Sequence, residues 1–225
     1  MIATLTGFLA GFMHVLSGPD HLAAVAPLSV DHGKEGTWRV GLRWGLGHAT
    51  GVILLGVLLL ALREILPLEA FSHWAERLVG VMVIGIGLWG VRKALTKQVH
   101  VHVHAHGARE HAHVHVHDTH TGHDPAHGGG HFHTHAVFAV GVLHGLAGGA
   151  HILGLLPVLV FSNRWLTASY LLSYALGTIF AMASFSSLVG MLAKRCSLRG
   201  SSAYRFLMLG CSAVAVLLGG YWLLG

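Results

Sequence analysis

The chain has 225 residues, of which 53% are hydrophobic and only 10% are charged, whereas a typical soluble domain carries about 25% charged residues. The mean hydropathy of +0.63 points the same way. This composition excludes a disordered chain, a disulfide-stabilised secreted domain and an ordinary soluble enzyme, and it indicates an integral membrane protein. The net charge of +5 does not indicate nucleic acid binding, because the basic residues lie beside apolar segments rather than in one patch.

Six segments are apolar and long enough to cross a bilayer, which takes about 20 residues in a helix. In chain order they cover residues 2–27, 41–62, 76–95, 136–161, 165–193 and 204–224. The first has no positively charged start and no cleavage signature, so it predicts a membrane helix rather than a signal peptide. The expected fold class is therefore an all-α integral membrane protein with six transmembrane helices.

Lys and Arg are unevenly divided between the two sides that six spans would create. One side receives 11 of them and the other receives 3. Because cytoplasmic loops carry the excess of Lys and Arg, the richer side is predicted to be cytoplasmic. This orientation puts residues 98–135 in the cytoplasm and both termini outside.

The two halves of the chain match without gaps at an offset of 130 residues. His14 aligns with His144, His21 aligns with His151, and residues 42–47 align with 172–177. Each half has three spans, an odd number, so the second half would enter the membrane from the opposite side as a 3+3 inverted repeat. We expect a first membrane repeat over 1–97, a histidine-rich loop over 98–135 and a second membrane repeat over 136–225.

Fourteen of the 21 histidines lie between His100 and His135. Neutral imidazole binds Zn, Ni, Cu and Co, and histidine-rich tracts bind such metals without a fold. The residues predicted to capture metal in this loop are His100, His102, His104, His106, His111, His113, His115, His117, His131, His133 and His135. The alternative is a solvated linker without a role. The His-Val alternation would also suit a strand, but no nearby segment is expected to pair with it.

Five other histidines fall inside predicted spans, where ionisable side chains are costly and usually face the bundle interior or an aqueous path. Pro19 has no N–H to donate and Gly18 loosens the preceding turn, so the first span should break just before Asp20. The fourth span should break at the matching Gly148. Interrupted helices at corresponding positions of two halves indicate a transport site.

These observations predict one metal site in the membrane. Its residues are His14, Asp20, His21, His48, His144 and His151. Imidazoles with a single carboxylate suit Ni²⁺, Co²⁺ or Zn²⁺, and fit Mg²⁺ or Ca²⁺ poorly. Asp20 could instead cap the new helix, and the two roles are compatible.

The motifs resemble those of bacterial nickel/cobalt transporters, the NiCoT/NicO superfamily. His14 with the Asp20-His21 pair resembles the family's first signature, and Leu46-Gly-His-Ala-Thr50 resembles its second. His144-Gly-Leu-Ala-Gly148 is similar to a segment of the smaller, urease-accessory (UreH-like) branch. The resemblance implies a permease of the bacterial inner membrane that moves Ni²⁺ or Co²⁺ through His14, Asp20, His21 and His48. The gap between His14 and Asp20 is one residue longer than in the larger members, which also have more spans.

The sequence therefore predicts a secondary transporter and not an enzyme, with no required cofactor. It has no Gly-Lys-Ser/Thr phosphate loop, so we expect coupling to protons or to the membrane potential rather than to ATP. The expected partners are the metal ion, the lipid bilayer and cytosolic metallochaperones. Two alternatives stay open: a carrier or exporter of zinc, iron or manganese on the same architecture, and a histidine-rich metalloenzyme or a haem protein using His48 and His144.

Overall fold

The computed structural model describes the backbone of residues 1–31, 36–62, 68–106, 109–118, 132–147, 161 and 163–224, and the side chains of 1–31, 36–55, 74–96, 135–147, 161 and 163–224. Within these residues the chain forms seven helices and one β-hairpin. The helices are α1 (Ile2–Ser17), α2 (Pro19–Asp31), α3 (Trp38–Leu62), α4 (Leu68–Thr96), α5 (Phe132–Ala147), α6 (Arg164–Arg199) and α7 (Ser201–Leu224). The strands are β1 (Lys97–His106) and β2 (Arg109–Asp118).

Within the part of the chain that the structure describes, three helical segments are long and apolar enough to cross a membrane. They are Trp74–Thr96 in α4, Arg164–Arg199 and Ser201–Leu224, and the pair α1 and α2 makes a fourth if it counts as one bent span. The all-α membrane class is thus supported, while the count of six spans stays a prediction. Helix α4 begins eight residues before the predicted 76, and α6 ends six residues after the predicted 193.

The first span is broken where the sequence predicts it. Helices α1 and α2 meet at Gly18 with a bend of 74°. The Gly18 N–H donates to the His14 carbonyl at 3.1 Å and closes α1, while Pro19, which lacks an N–H, starts α2. Helix α5 ends at Ala147, just before the predicted second break. That break at Gly148 and the predicted ligand His151 lie outside the described residues.

Small side chains fill much of the interior, where Trp44, Met182 and Met208 are also buried, and many of the other large apolar side chains face outward. Ala24, Ala181 and Ala215 are fully buried or nearly so, whereas Phe206 and Leu217 are about three-quarters exposed. A soluble protein would bury the larger side chains. In a bilayer the lipid covers them, and small residues let the helix backbones approach closely.

Glycines mark the closest helix crossings, and these crossings recur at the offset of the predicted repeat. At each one a Cβ on the glycine would overlap a backbone carbonyl of the facing helix. The contacts are Gly11 with Tyr174 and Gly177 with Phe8 between α1 and α6, and Gly141 with Trp44 and Gly47 with Phe138 between α5 and α3. Adding 130 to one partner and subtracting it from the other converts each contact of the first crossing into a contact of the second.

Polar contacts fix α2 among its neighbours. Buried Ser29 is 2.8 Å from the Ser186 hydroxyl on α6, which in turn donates to the Thr37 carbonyl at 2.7 Å. At the end of α2, Asp31 forms an ion pair with Lys93 of α4, and both side chains are mostly buried. Helix α2, which begins at Pro19, is therefore held at its far end by both α4 and α6.

The histidine-rich segment contains a β-hairpin, which corrects one expectation. We expected no partner for a His-Val strand, but β1 pairs with β2 in antiparallel register. The partner is the second histidine-rich tract, and in this register Val101 lies opposite Val114 and His102 opposite His113. The reason is local: only two residues separate two tracts with the same alternation.

Candidate metal site

The break between α1 and α2 brings three predicted ligands together. His14 lies in the last turn of α1, while Asp20 and His21 open α2. On a straight helix His14 and His21 would lie two turns, about 10 Å, apart. Because the chain turns by 74° at Gly18, the rings of His14 and His21 come to 4.9 Å between centroids, edge to face.

Two further imidazoles reach the same point from α3 and α5. The His48 ring is 4.9 Å from His21 and 6.0 Å from His14, and the His144 ring is 4.6 Å from His21 and 5.6 Å from His48. His21, His48 and His144 have exposed fractions of 2%, 1% and 0%. Four imidazoles from four helices thus share one water-poor space.

Asp20 is the carboxylate of this cluster, and it contacts two of the rings. Its Oδ1 lies 3.0 Å from His21 Nδ1, and its Oδ2 lies 3.2 Å from His144 Nε2. The carboxylate also lies in the first turn of α2, where the helix dipole favours negative charge. Asp20 therefore connects α2 to α5 and supplies the charge that a buried dication requires.

The ligand atoms form two groups of three. In the first group are His14, His21 and His48, in the second are Asp20, His21 and His144, and within each group the atoms lie within 4.8 Å of one another. Zinc-type ions bind imidazole nitrogen at about 2.0–2.1 Å, so two ligand atoms on one ion are at most about 4 Å apart. Small movements of the side chains would bring either group to that spacing.

The structure brings together five of the six residues predicted for the membrane site. The sixth, His151, lies outside the described residues. Among the predicted loop residues, only His135 has a described side chain, and it is exposed at the start of α5. It lies nine residues before His144, about 13 Å along the helix, so it does not belong to the cluster.

Two aromatic residues border the cluster and were not among the predicted site residues. The Tyr174 ring lies 5.8 Å from His14, and the Trp44 ring lies 5.7 Å from His144. Both are buried, and neither Tyr174 OH nor Trp44 Nε1 has a hydrogen-bond partner within the described part of the chain. Trp44 and Tyr174 are 130 residues apart, as are His14 and His144. The alignment of residues 42–47 with 172–177, which pairs these two aromatic residues, could have identified them.

Comparison with known proteins finds distant relatives. The chain is 34% identical, over 82% of its length, to two Arabidopsis thaliana proteins, Chloroplast protein FOR GROWTH AND FERTILITY 1 and 2, and it spans about half the length of each. It is 29% identical to the Urease accessory protein UreH of Bacillus sp. (strain TB-90), over 85% of this chain and 78% of that protein. No protein-family profile and no solved structure matches the chain.

These relatives support the predicted resemblance to UreH, while the nickel or cobalt substrate stays a prediction. The chain is a distant homologue of UreH, and it is more similar in sequence to the plant pair. None of the three names describes an enzyme. The apolar helices that are long enough to cross a membrane indicate a membrane protein. The plant relatives are named as chloroplast proteins, and the bacterial inner membrane, the orientation and the cytoplasmic loop stay predictions.

Proposed function

We propose that this protein is a permease for divalent transition-metal ions, with Ni²⁺ or Co²⁺ as the substrate. The observation that carries the proposal is the buried cluster of four imidazoles and one carboxylate at a broken membrane helix. A structural histidine needs one hydrogen-bond partner, whereas four imidazoles in contact are suited to binding a cation that has lost its water. Homology to UreH agrees with a transporter-like family.

The donor set favours late transition metals over Mg²⁺ and Ca²⁺. Nitrogen-rich sites bind divalent ions in an order that rises toward nickel and copper, whereas Mg²⁺ and Ca²⁺ require oxygen ligands. Asp20 brings one negative charge, so a bound dication leaves the site with a net charge of about +1. This residual charge keeps the ion from being trapped, because binding in a low-dielectric interior is strongest when charges balance.

The movement that we propose uses the two halves as an inverted repeat. The glycine contacts between α1 and α6 have counterparts between α5 and α3 at an offset of 130 residues, and this correspondence supports the arrangement. The cluster lies between the two crossings, since His14 follows Gly11 on α1 and His144 follows Gly141 on α5. Rocking of one crossing against the other would open the cluster first to one side and then to the other.

The driving force that we propose is the membrane potential, with the histidine-rich segment on the cytoplasmic side. A dication that moves inward across the whole potential gains about 4–5 kcal/mol per 100 mV. This is enough for uptake without a pump. The hairpin of β1 and β2 would then receive the metal and pass it to cytosolic metallochaperones.

Two other functions compare differently with the cluster. An exporter or carrier of zinc, iron or manganese is the second candidate, because the group of three histidines is a donor set that zinc also accepts. A haem held by His48 and His144 is disfavoured, because the His21 ring lies within 5 Å of both and occupies the space that the flat macrocycle would need.

The test is metal flux in liposomes that contain the purified chain. We expect Ni²⁺ or Co²⁺ to enter faster than Zn²⁺ and Mn²⁺ when the potential is negative inside. His21→Asn should abolish the flux, while the matched control His73→Asn, which changes a histidine outside both the predicted membrane site and the histidine-rich loop, should leave it unchanged. Flux of Zn²⁺ alone would favour the zinc carrier. Wild-type flux in His21→Asn would refute the proposed site.

A further inference from the structure

The five ligands divide into two sets that overlap at a single residue. We call His14, His21 and His48 the imidazole set, and Asp20, His21 and His144 the carboxylate set. The ligand atoms lie within 4.8 Å of one another inside each set, and the five side chains form two such groups rather than one. His21 belongs to both. The cluster is therefore larger than one ion can occupy with all of its ligands.

The two sets draw on different helices. The imidazole set takes His14 from α1, His21 from α2 and His48 from α3, all in the first half of the chain. The carboxylate set takes Asp20 and His21 from α2 and His144 from α5, which lies in the second half. Occupation of the carboxylate set would thus connect the two halves, whereas occupation of the imidazole set would not.

We propose that a single ion occupies the two sets in turn, with His21 bound in both positions. This inference rests on the proposed function and deepens it. Moving from the imidazole set to the carboxylate set exchanges His14 and His48 for Asp20 and His144, while one ligand stays attached throughout. The dication moves from a neutral donor set to one with a carboxylate, so the two positions differ in charge.

Asp20 has a different contact with the ion in each position. When the ion lies in the imidazole set, Asp20 Oδ1 accepts a hydrogen bond from His21 Nδ1, which orients the ring and makes the opposite nitrogen a better ligand. When the ion lies in the carboxylate set, Asp20 binds it directly. A stepwise transfer of this kind avoids a state in which the dication has no ligand in a low-dielectric space.

Co²⁺ binding and Co²⁺ flux of the full chain test the transfer together, because the visible absorption of Co²⁺ reports the number and type of its ligands. One variant removes the imidazole set (His14→Asn with His48→Asn), and another removes the carboxylate set (Asp20→Asn with His144→Asn). The histidine-rich loop is the same in every chain, so the Co²⁺ that it binds is subtracted by comparison with His21→Asn, which should lose the Co²⁺ of the cluster and the flux. We expect each double variant to bind one Co²⁺ per chain more than His21→Asn does, with absorption bands that differ between the two, and to lose Co²⁺ flux.

Three results would overturn the transfer. They are a double variant that binds no more Co²⁺ than His21→Asn does, identical absorption bands in the two double variants, and wild-type flux in either. A wild-type chain that binds two Co²⁺ ions more than His21→Asn does would also overturn it, because His21 cannot serve both sets at once. If a double variant fails to fold, the less buried single variants His14→Asn and Asp20→Asn carry the same expectation. A wild-type chain that binds Co²⁺ but does not move it contradicts the proposed function instead.

Discussion

Gly11 provides the sharpest test of how the cluster is held in place. It lies on α1 three residues before His14, and a Cβ at this position would overlap the Tyr174 carbonyl on α6. Gly11→Ala gains about 1 kcal/mol in helix propensity but costs about 1–3 kcal/mol through overpacking, because both colliding groups belong to helix backbones. Gly85 of α4 is the matched control, since nothing lies within 4 Å of a Cβ there.

We expect Gly11→Ala to destabilise the protein and Gly85→Ala not to do so. Thermal unfolding in detergent should show a lower Tm for Gly11→Ala and an unchanged or higher Tm for Gly85→Ala, with about 2–4 °C for each kcal/mol in a chain of this size. Separation of α1 from α6 also displaces His14, so Gly11→Ala should reduce metal flux while Gly85→Ala does not. Equal Tm values and equal flux in the two variants would refute the close crossing.

Three further predictions concern charge and the histidine-rich hairpin. Asp20→Asn should weaken Co²⁺ binding, measured by titration of its visible absorption, by about tenfold or more, because it removes the only carboxylate of the two ligand sets. Asp31→Lys should lower the unfolding free energy by roughly 1–3 kcal/mol because it places like charges together, and adding Lys93→Asp should restore most of it in the same detergent unfolding assay. Replacing residues 98–131 with a Gly-Ser linker that joins α4 to α5 should slow uptake at low metal concentration in liposomes without abolishing it; complete loss would place the hairpin in the translocation path.

The break in the first helix and most of the cluster could be predicted from the sequence because both depend on local chemistry. Proline cannot continue the hydrogen bonding of a helix, so Pro19 fixes the position of the break. Histidines in apolar segments avoid lipid, so His48 and His144 had to face the interior. The hairpin was missed for a different reason: strand pairing depends on a partner segment, and the partner β2 is a second histidine-rich tract, a composition that equally suits a solvated metal-binding loop.

The offset of 130 predicted which positions would meet but not which of them would carry ligands. It pairs His48 with Thr178, and Thr178 does lie at the matching crossing, next to Gly11. The Thr178 hydroxyl donates to backbone carbonyls, that of Tyr174 at 3.0 Å and that of Gly11 at 3.3 Å. It therefore bonds to the helix backbones and not to the side chains of the cluster. The short side chain of threonine finds its hydrogen-bond acceptors on the neighbouring backbone, whereas the larger imidazole of His48 extends past the backbone. Similar backbones in the two halves therefore carry unequal ligands, and four of the five in the described cluster come from the first half.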